Sequence, residues 1–543
     1  MEELYDIDIS DLGTDGQGIG RLPSGKTVFI EGVFPGERCS CRITSQTSKY
    51  AVGEALDLLV ASSDRTGNFV RLSGLSGSMP LAALSYEAQL RYKKKKVGDC
   101  LVRIGGLAPD RVSELLHDTI PCDPPKRYRN HMQYSIVNGR AGLLASHSSE
   151  LGEYNAELIE YEIFSGIREY VENGFRRCPT RLFEGLVLRG SERTKEVMAE
   201  FVSGNTAPHE ITIRDCRDYL DRTGLLSGLS GLCEDGGFRL VSVTLRMTGD
   251  KVSRRTRRGK RVIISGNDYY DEIFCGRRFR IKAGAFFQVN IPQAEKLIDI
   301  ASAVCRGAGT IYDLYCGAGS IGLSLVSPGQ KLLGIEVVPE AVASAKINRG
   351  LALSGGEQDC EFICRDVLKT DFAAMIAAGR IPAPDALAVD PPRAGLNPGV
   401  IRKIADLAPS DIAYISCDPA TLARDLKQLS AKYVITCITP VDMFPHTSSI
   451  ETVVLLSKLS SAKHHVTIDL GMDELDITAS ESKATYSEIK TYVMEHTGLN
   501  VTNLNIAQVK RKCGIIEREN YNLPKSEDSR QPNCTSVLYL NQL

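Results

Sequence analysis

A Rossmann-like α/β fold is predicted by three observations. Over residues 286–459, continuous apolar runs alternate with helical stretches: TIYDLY then SIGLSLV, KLLGIEVV then PEAVASAKINRGLAL, IAYISC then ATLARDLKQLS. Strands that are apolar on both faces belong to a parallel sheet covered by helices on either side. The residues able to carry chemistry (Asp313, Glu336, Asp390, Cys417) fall at the ends of these runs, where open parallel sheets place their sites. Residues 1–58 read differently, as short alternating strands cut by glycine turns, the pattern of a small closed β-barrel.

Length and composition bound the rest. At about 150 residues per domain, 543 residues make three or four domains. Lys plus Arg is 65 against 67 for Asp plus Glu, a formal charge of −2, which excludes a wholly basic nucleic-acid coat but leaves room for a local basic face. No apolar run is long enough to span a bilayer, and MEELYDIDISDLG lacks the basic and apolar regions of a signal peptide. A cytoplasmic location with no membrane partner is expected. The 16 cysteines should then be reduced, mostly as small apolar filler. Neither Cys39/Cys41 nor Cys360/Cys364 has the spacing of a zinc or redox pair, so no metal site is expected.

In chain order, residues 1–58 form the barrel. Residues 59–285 form a central mixed domain. It opens with a helix in SYEAQLRYKKKKVGDCLVRI, with Tyr86, Leu90 and Val97 facing inward and the Lys93–Lys96 run read as a solvated face. Further on, VSVTLRMTGDKVSRRTRRGKRVIISG reads as two strands around a hairpin in which Arg254, Arg255, Arg257, Arg258, Lys260 and Arg261 crowd together. Such like charges repel one another unless a phosphate backbone neutralises them, so RNA or DNA contact is expected there. Residues 286–459 are the Rossmann-like domain. Residues 462–543 are a C-terminal accessory extension, with an expected helix over 485–496, a turn at Gly498, a basic stretch at 509–512 and a loosely ordered tail.

The first strand of the α/β domain runs into DLYCGAGS, where Gly317 and Gly319 permit a tight turn close to a ligand. The segment is neither GxGxxG nor a P-loop, so a phosphate cradle is excluded. Glu336 ends the second strand, where it can accept both hydroxyls of a ribose. Asp366 ends the third, where it could meet an adenine amine. A glycine turn with ordered acids suits S-adenosylmethionine, whose sulfonium and amine are cationic. Each acid taken singly would serve equally as a helix cap.

The fourth strand ends in VDPPRAGL, with Asp390 at its tip and Arg393 where amine methyltransferases place a stacking aromatic. The fifth ends in YISCDPATLARDL and places Cys417 beside a helix start, where N–H dipoles favour a thiolate. Glu451 lies just before or at the start of the apolar strand of FPHTSSIETVVLL. A cysteine and a carboxylate beside a methyl donor answer one chemical problem. Pyrimidine C5 is a weak nucleophile until a thiolate adds at C6, and a base must later take the C5 proton so that the cysteine can leave.

SCDPATLARDL, DLYCGAGS, FFQVN, DPPRAGL and FPHTSSIETVVLL resemble the RNA uracil-5-methyltransferase family, and the N-terminal barrel resembles the TRAM domain of its ribosomal branch. The resemblance spans roughly residues 1–458. It implies an S-adenosylmethionine-dependent methyltransferase domain with Cys417 as nucleophile, Glu451 as proton acceptor, and Gln288, Tyr315, Glu336 and Asp390 as cofactor contacts. Ser320 stands where some members carry Asn. Phe286 and Phe287 flank the FFQVN motif as either core or stacking residues. The expected product is 5-methyluridine in 23S ribosomal RNA, made by a monomer. The alternatives are the same chemistry on tRNA, or a non-catalytic RNA-binding protein on this fold. One departure matters: many members carry a four-cysteine iron–sulfur cluster before the segment matching LSYEAQL. Here Val70, Ser76 and Met79 stand near the expected ligand positions, and no cysteine lies between Cys41 and Cys100.

Overall fold

The computed structural model describes residues 4–67, 79–145, 148–152, 158–204, 211–248, 259–353 and 359–459. These belong to the first of two compact units, Met1–Leu459. Arg254, Arg255, Arg257 and Arg258 of the basic hairpin, Val70 and Ser76, and the helix and basic stretch expected within 462–543 lie outside the described residues.

The first sheet comprises β1 (Leu4–Asp8), β2 (Asp11–Leu12), β3 (Gly18–Arg21), β4 (Thr27–Ile30), β5 (Arg38–Gln46) and β6 (Tyr50–Val60), in the order β1-β5-β6-β4-β3-β2. Strand β1 runs through Ile9 and Ser10 straight into β2, at the other end of the sheet, so the two ends meet and close a small barrel. Alternation sends Ile7, Val28, Ile30, Cys39 and Cys41 inward. Burial pushes the Cys39 thiol up to about 11 and the Cys41 thiol up to about 12, so both are inert filler, as expected.

Helix α1 (Tyr86–Arg103) follows, capped by the Ser85 side chain, which accepts from the Ala88 N–H. Its Val97, Cys100 and Leu101, with Val112 and Leu115 of α2 (Pro109–Leu115), join the hydrophobic core of the catalytic sheet. The solvated face expected for Lys93–Lys96 is corrected here. Consecutive helical residues are about 100° apart, so four in a row cannot share one face. Lys94 and Lys95 reach outward to Asp118 and to Asp11 and Asp99, while Lys93 is fully buried on Asp442. Val97 points inward as expected; Tyr86 and Leu90 are only half-buried.

The central sheet has the order β12-β11-β10-β9-β7-β8. Its strands are β7 (His131–Val137), β8 (Arg140–Gly142), β9 (Gly185–Ser191), β10 (Glu196–Ser203), β11 (Arg239–Met247) and β12 (Lys260–Gly266). Helices α3 (Glu162–Arg177), α4 (Ile213–Arg222) and α5 (Leu225–Asp235) pack on it through Phe164, Phe175, Tyr219 and Leu229. Strands β11 and β12 pair antiparallel as the basic hairpin requires. Arg261, however, is not free for phosphate: its Nε lies 2.5 Å from Glu200, which also holds Arg246 at 2.7 Å. A two-stranded hairpin, β13 (Tyr269–Phe274) and β14 (Arg277–Lys282), leads to the catalytic domain.

That domain is the predicted α/β sandwich. Five strands are parallel: β15 (Thr310–Leu314), β16 (Lys331–Glu336), β17 (Asp359–Cys364), β18 (Ala386–Val389) and β19 (Asp411–Ser416). Strand β20 (Tyr433–Val441) and the antiparallel β21 (Glu451–Lys458) complete the order β17-β16-β15-β18-β19-β21-β20. Helices α6 (Ile291–Ala301), α7 (Ser320–Leu325), α8 (Pro339–Ala352), α9 (Phe372–Ala377), α10 (Pro398–Leu407) and α11 (Pro419–Leu429) divide between its faces. The order reverses between β15 and β18, which opens a crevice at their carboxyl ends. Among the described residues, no helix is long and apolar enough to cross a membrane.

Candidate active site

The turn after β15 is built for close approach. Tyr315, Gly317 and Gly319 all have positive φ, at 63°, 54° and 80°. Glycine takes this conformation freely, whereas a tyrosine there is strained and marks a constrained position. A Cβ on Gly319 would sit 3.0 Å from the Phe362 ring, so that position is closed to side chains. The Asp313 carboxylate beneath accepts from the Gly322 N–H at 2.8 Å and anchors α7. Glu336 then pins the turn to the next strand. Its Oε2 accepts from the Gly317 N–H at 3.2 Å, and its Oε1 from the Val337 and Val338 N–H groups at 2.8 and 2.9 Å.

Three further residues arrive from strand ends. Asp390 follows β18, Cys417 follows β19, and Glu451 is the first residue of β21. Asp418 caps α11 by accepting from the Ala420 and Thr421 N–H groups, both at 2.9 Å, which fixes the bend at Cys417. All six sequence-predicted site residues (Gln288, Tyr315, Glu336, Asp390, Cys417 and Glu451) line one cavity of about 1070 Å³. Asp366 is not among its lining residues; its Oδ1 accepts from the Leu368 N–H at 2.9 Å.

The FFQVN segment settles the roles of its two aromatics. Phe287 is buried edge-on against Phe274 with ring centroids 5.8 Å apart, while Phe286 is 74% exposed at the cavity. The segment is held by Asn130, whose Nδ2 donates to the Gln288 carbonyl at 3.0 Å, and by Arg189, whose Nη1 donates to the Ala285 carbonyl at 2.6 Å.

The electrostatics correct one expectation. Cys417 is no low-pKa thiolate: burial, then Glu451 and Asp390, push it up to about 11, against a smaller opposing effect of Arg393. Burial likewise pushes Asp390 and Asp313 up to about 7 and holds Glu451 well above the usual carboxylate range. Burial, with the nearby acids second, dominates over the helix start. A crevice of buried carboxyls rejects phosphate and favours a cation, and the close backbone approach at Gly317 leaves open space where a side chain would stand. These residues therefore fit S-adenosylmethionine.

The cavity also has walls that sequence reasoning missed. Asp15, Gln17, Glu31 and Gly32 come from the barrel, Arg129 from the central domain, and Thr447, Ser448 and Ser449 from the connection before Glu451. The last three lie within the FPHTSSIE motif; the barrel residues carry no local signal.

Comparisons with known proteins agree with this architecture. A family model described as tRNA (Uracil-5-)-methyltransferase matches residues 383–459, and a TRAM domain model matches residues 3–56. An uncharacterized RNA methyltransferase of Clostridium acetobutylicum is 31% identical over 474 residues, covering 84% of this chain and 97% of its own. Another, of Halalkalibacterium halodurans, is 30% identical over 475 residues, covering 84% and 97%. A solved structure, the Pyrococcus abyssi tRNA (uracil-54, C5)-methyltransferase in complex with S-adenosyl-L-homocysteine, shares the fold. Its TM-score is 0.61 at 22% identity, over 83% of this chain and 99% of that one.

Proposed function

The chain belongs to the RNA uracil-5-methyltransferase family, and from that premise we propose that it methylates uridine C5 in 23S ribosomal RNA, with Cys417 as nucleophile and Glu451 as base. It is an S-adenosylmethionine-dependent transferase acting on RNA. The reading of the site is carried by the convergence of Cys417, Glu451 and Asp390 on the cavity that Gln288, Tyr315 and Glu336 also line.

Bound S-adenosylmethionine supplies an electrophilic methyl group. The chain's own residues do the rest. Gln288, Tyr315, Glu336 and Asp390 hold the donor. Cys417, its S–H proton first lost to solvent, bonds through sulfur to C6 of the uracil, and the C5–C6 electron pair moves to C5 and the C4 carbonyl, which makes C5 nucleophilic. Once C5 carries its new methyl group, Glu451 takes the C5 proton. The C5–C6 double bond re-forms, the C6–S bond breaks, and Cys417 leaves as a thiolate. Arg393 supports both steps, since its guanidinium favours the ionised forms of Cys417 and Glu451. Phe286 offers an exposed ring on which a nucleotide base stacks.

The ribosomal reading is supported by the TRAM-like barrel, which forms part of the cavity wall. The transfer RNA reading is supported by the description of the matching family model and by the substrate named for the Pyrococcus abyssi enzyme. Mass mapping of 5-methyluridine in ribosomal and transfer RNA, from cells with and without the gene, separates them. Loss from 23S RNA supports the proposal. Loss from tRNA alone transfers it to the second reading, and no loss in either overturns both.

A further inference from the structure

We propose that Lys96 is a positioning residue for proton abstraction, cross-linking the barrel to the connection that delivers Glu451. The proposal rests on the chemistry assigned above to Cys417 and Glu451.

Residues 442–450 join β20 to β21, and Thr447, Ser448 and Ser449 within them line the cavity. The connection has little regular structure of its own. It is held by few internal bonds, such as Thr447 N–H to the Phe444 carbonyl at 3.2 Å, and His446 sits at φ 70°. Further support comes from Tyr128, Asn290 and Gln293, which donate to the Pro445, Met443 and Asp442 carbonyls, and from one stripe of α1. Tyr86 Oη donates to Asp442 Oδ2 at 3.0 Å. Gln89 Oε1 accepts from the His446 N–H at 2.8 Å. Lys93 Nζ donates to Asp442 Oδ1 at 2.6 Å and to the Phe444 carbonyl at 2.9 Å, and Lys96 Nζ donates to the Ser448 carbonyl at 2.9 Å. Positions 86, 89, 93 and 96 are spaced three, four and three, which places them on one face of a helix.

Lys96 is the last rung of this ladder, and its acceptor Ser448 is the one nearest in sequence to Glu451. Its ammonium also donates to the Thr14 carbonyl at 2.7 Å, on the barrel loop whose Asp15 and Gln17 line the same cavity. Tyr92, on the next stripe, fixes that loop by donating to the Gly13 carbonyl at 2.7 Å. One cation thus ties two walls of the cavity together, three residues before the base. A base must lie within hydrogen-bond reach of the proton it removes, so loosening this tie slows proton abstraction more than the earlier addition of Cys417 to C6.

The test compares Lys96→Met, Lys96→Arg, Glu451→Gln and Cys417→Ala in the full chain, with the RNA in which mass mapping finds the product. Lys96 is partly exposed, and Met keeps its stem, so the fold is checked by an unchanged melting midpoint. Lys96→Met should lower kcat by about tenfold or more, because small displacements of a reacting group are costly. It should also accumulate a denaturant-stable protein–RNA adduct that carries the methyl group. Lys96→Arg, which keeps the donor, should restore turnover and remove the adduct. If Lys96→Met loses activity without adduct, or only raises KM, the positioning role is wrong while Glu451→Gln still traps adduct. If Glu451→Gln gives neither adduct nor methyl transfer, the assignment of the base fails, and the role of Lys96 falls with it.

Discussion

Lys93 Nζ lies 2.6 Å from Asp442 Oδ1, with both side chains fully buried. Burial alone pulls the lysine below its ordinary range; Asp442 opposes that and supplies the partner that a buried ammonium requires. Removing one member of such a pair leaves an uncompensated charge. Lys93→Met should therefore cost about 3–5 kcal/mol in denaturant unfolding. Lys94→Ala, which removes only the exposed contact to Asp118, should leave the unfolding midpoint unchanged.

Cys417→Ala should abolish methylation while leaving S-adenosylmethionine affinity intact, since the donor contacts are proposed to lie on Gln288, Tyr315, Glu336 and Asp390. Calorimetric titration with the donor and a methyl-transfer assay measure the two halves. A Cys417→Ala protein that turns over normally sinks the covalent mechanism.

Glu451 sits well above the usual carboxylate range, so its base form gains as pH rises. Elimination should speed up as pH rises above the usual carboxylate range, and the wild-type adduct should persist longest on the acid side. Glu451→Gln should hold the adduct at every pH, visible as a protein–RNA band in denaturing gels.

Asp313 and Asp390 make a prediction about stability with the opposite sign from most carboxylates. Both are pushed from an ordinary 3.8 up to about 7 by burial. Between those values the unfolded chain binds fewer protons than the folded one, so stability falls as pH rises. The melting midpoint of the protein alone should be lower at about pH 7 than at about pH 5 as far as these groups contribute, and Asp390→Asn should flatten the slope. A slope unchanged by that substitution shows that Asp390 is not the group titrating.

The two phenylalanines of FFQVN should separate cleanly. Phe287→Ala removes a core ring packed among Phe274 and Phe279 and should cost about 3–5 kcal/mol. Phe286→Ala should leave the melt unchanged and weaken RNA methylation, chiefly through KM.

The catalytic sheet was legible because its signals are local. Runs such as KLLGIE and IAYIS are apolar on both faces, and Glu336 and Cys417 stand just where those runs end. What escaped was decided by distant partners. The burial of Lys93 depends on Asp442, and nothing in KKKK marks which lysine turns inward. Asp15, Gln17 and Glu31 meet the catalytic cavity only after the barrel docks, so no spacing reveals them. The thiolate expected at Cys417 failed because burial, joined by Asp390 and Glu451 from two other strands, pushes the thiol up. Arg261 likewise sits in a visibly basic run, yet Glu200, two strands away across the sheet, engages it.

The ion pair joining Lys93 to Asp442 spans 349 positions of sequence. During synthesis at about 5–20 residues per second, roughly 20–70 s separate the emergence of the two partners. Throughout that interval α1 holds a lysine with nowhere to be buried, although its Tyr92 is already at hand to secure the barrel loop. The barrel and α1 therefore cannot settle on the ribosome into their final arrangement. They wait for the connection after β20, so this part of the nascent chain stays open to chaperones and proteases longer than its own length requires.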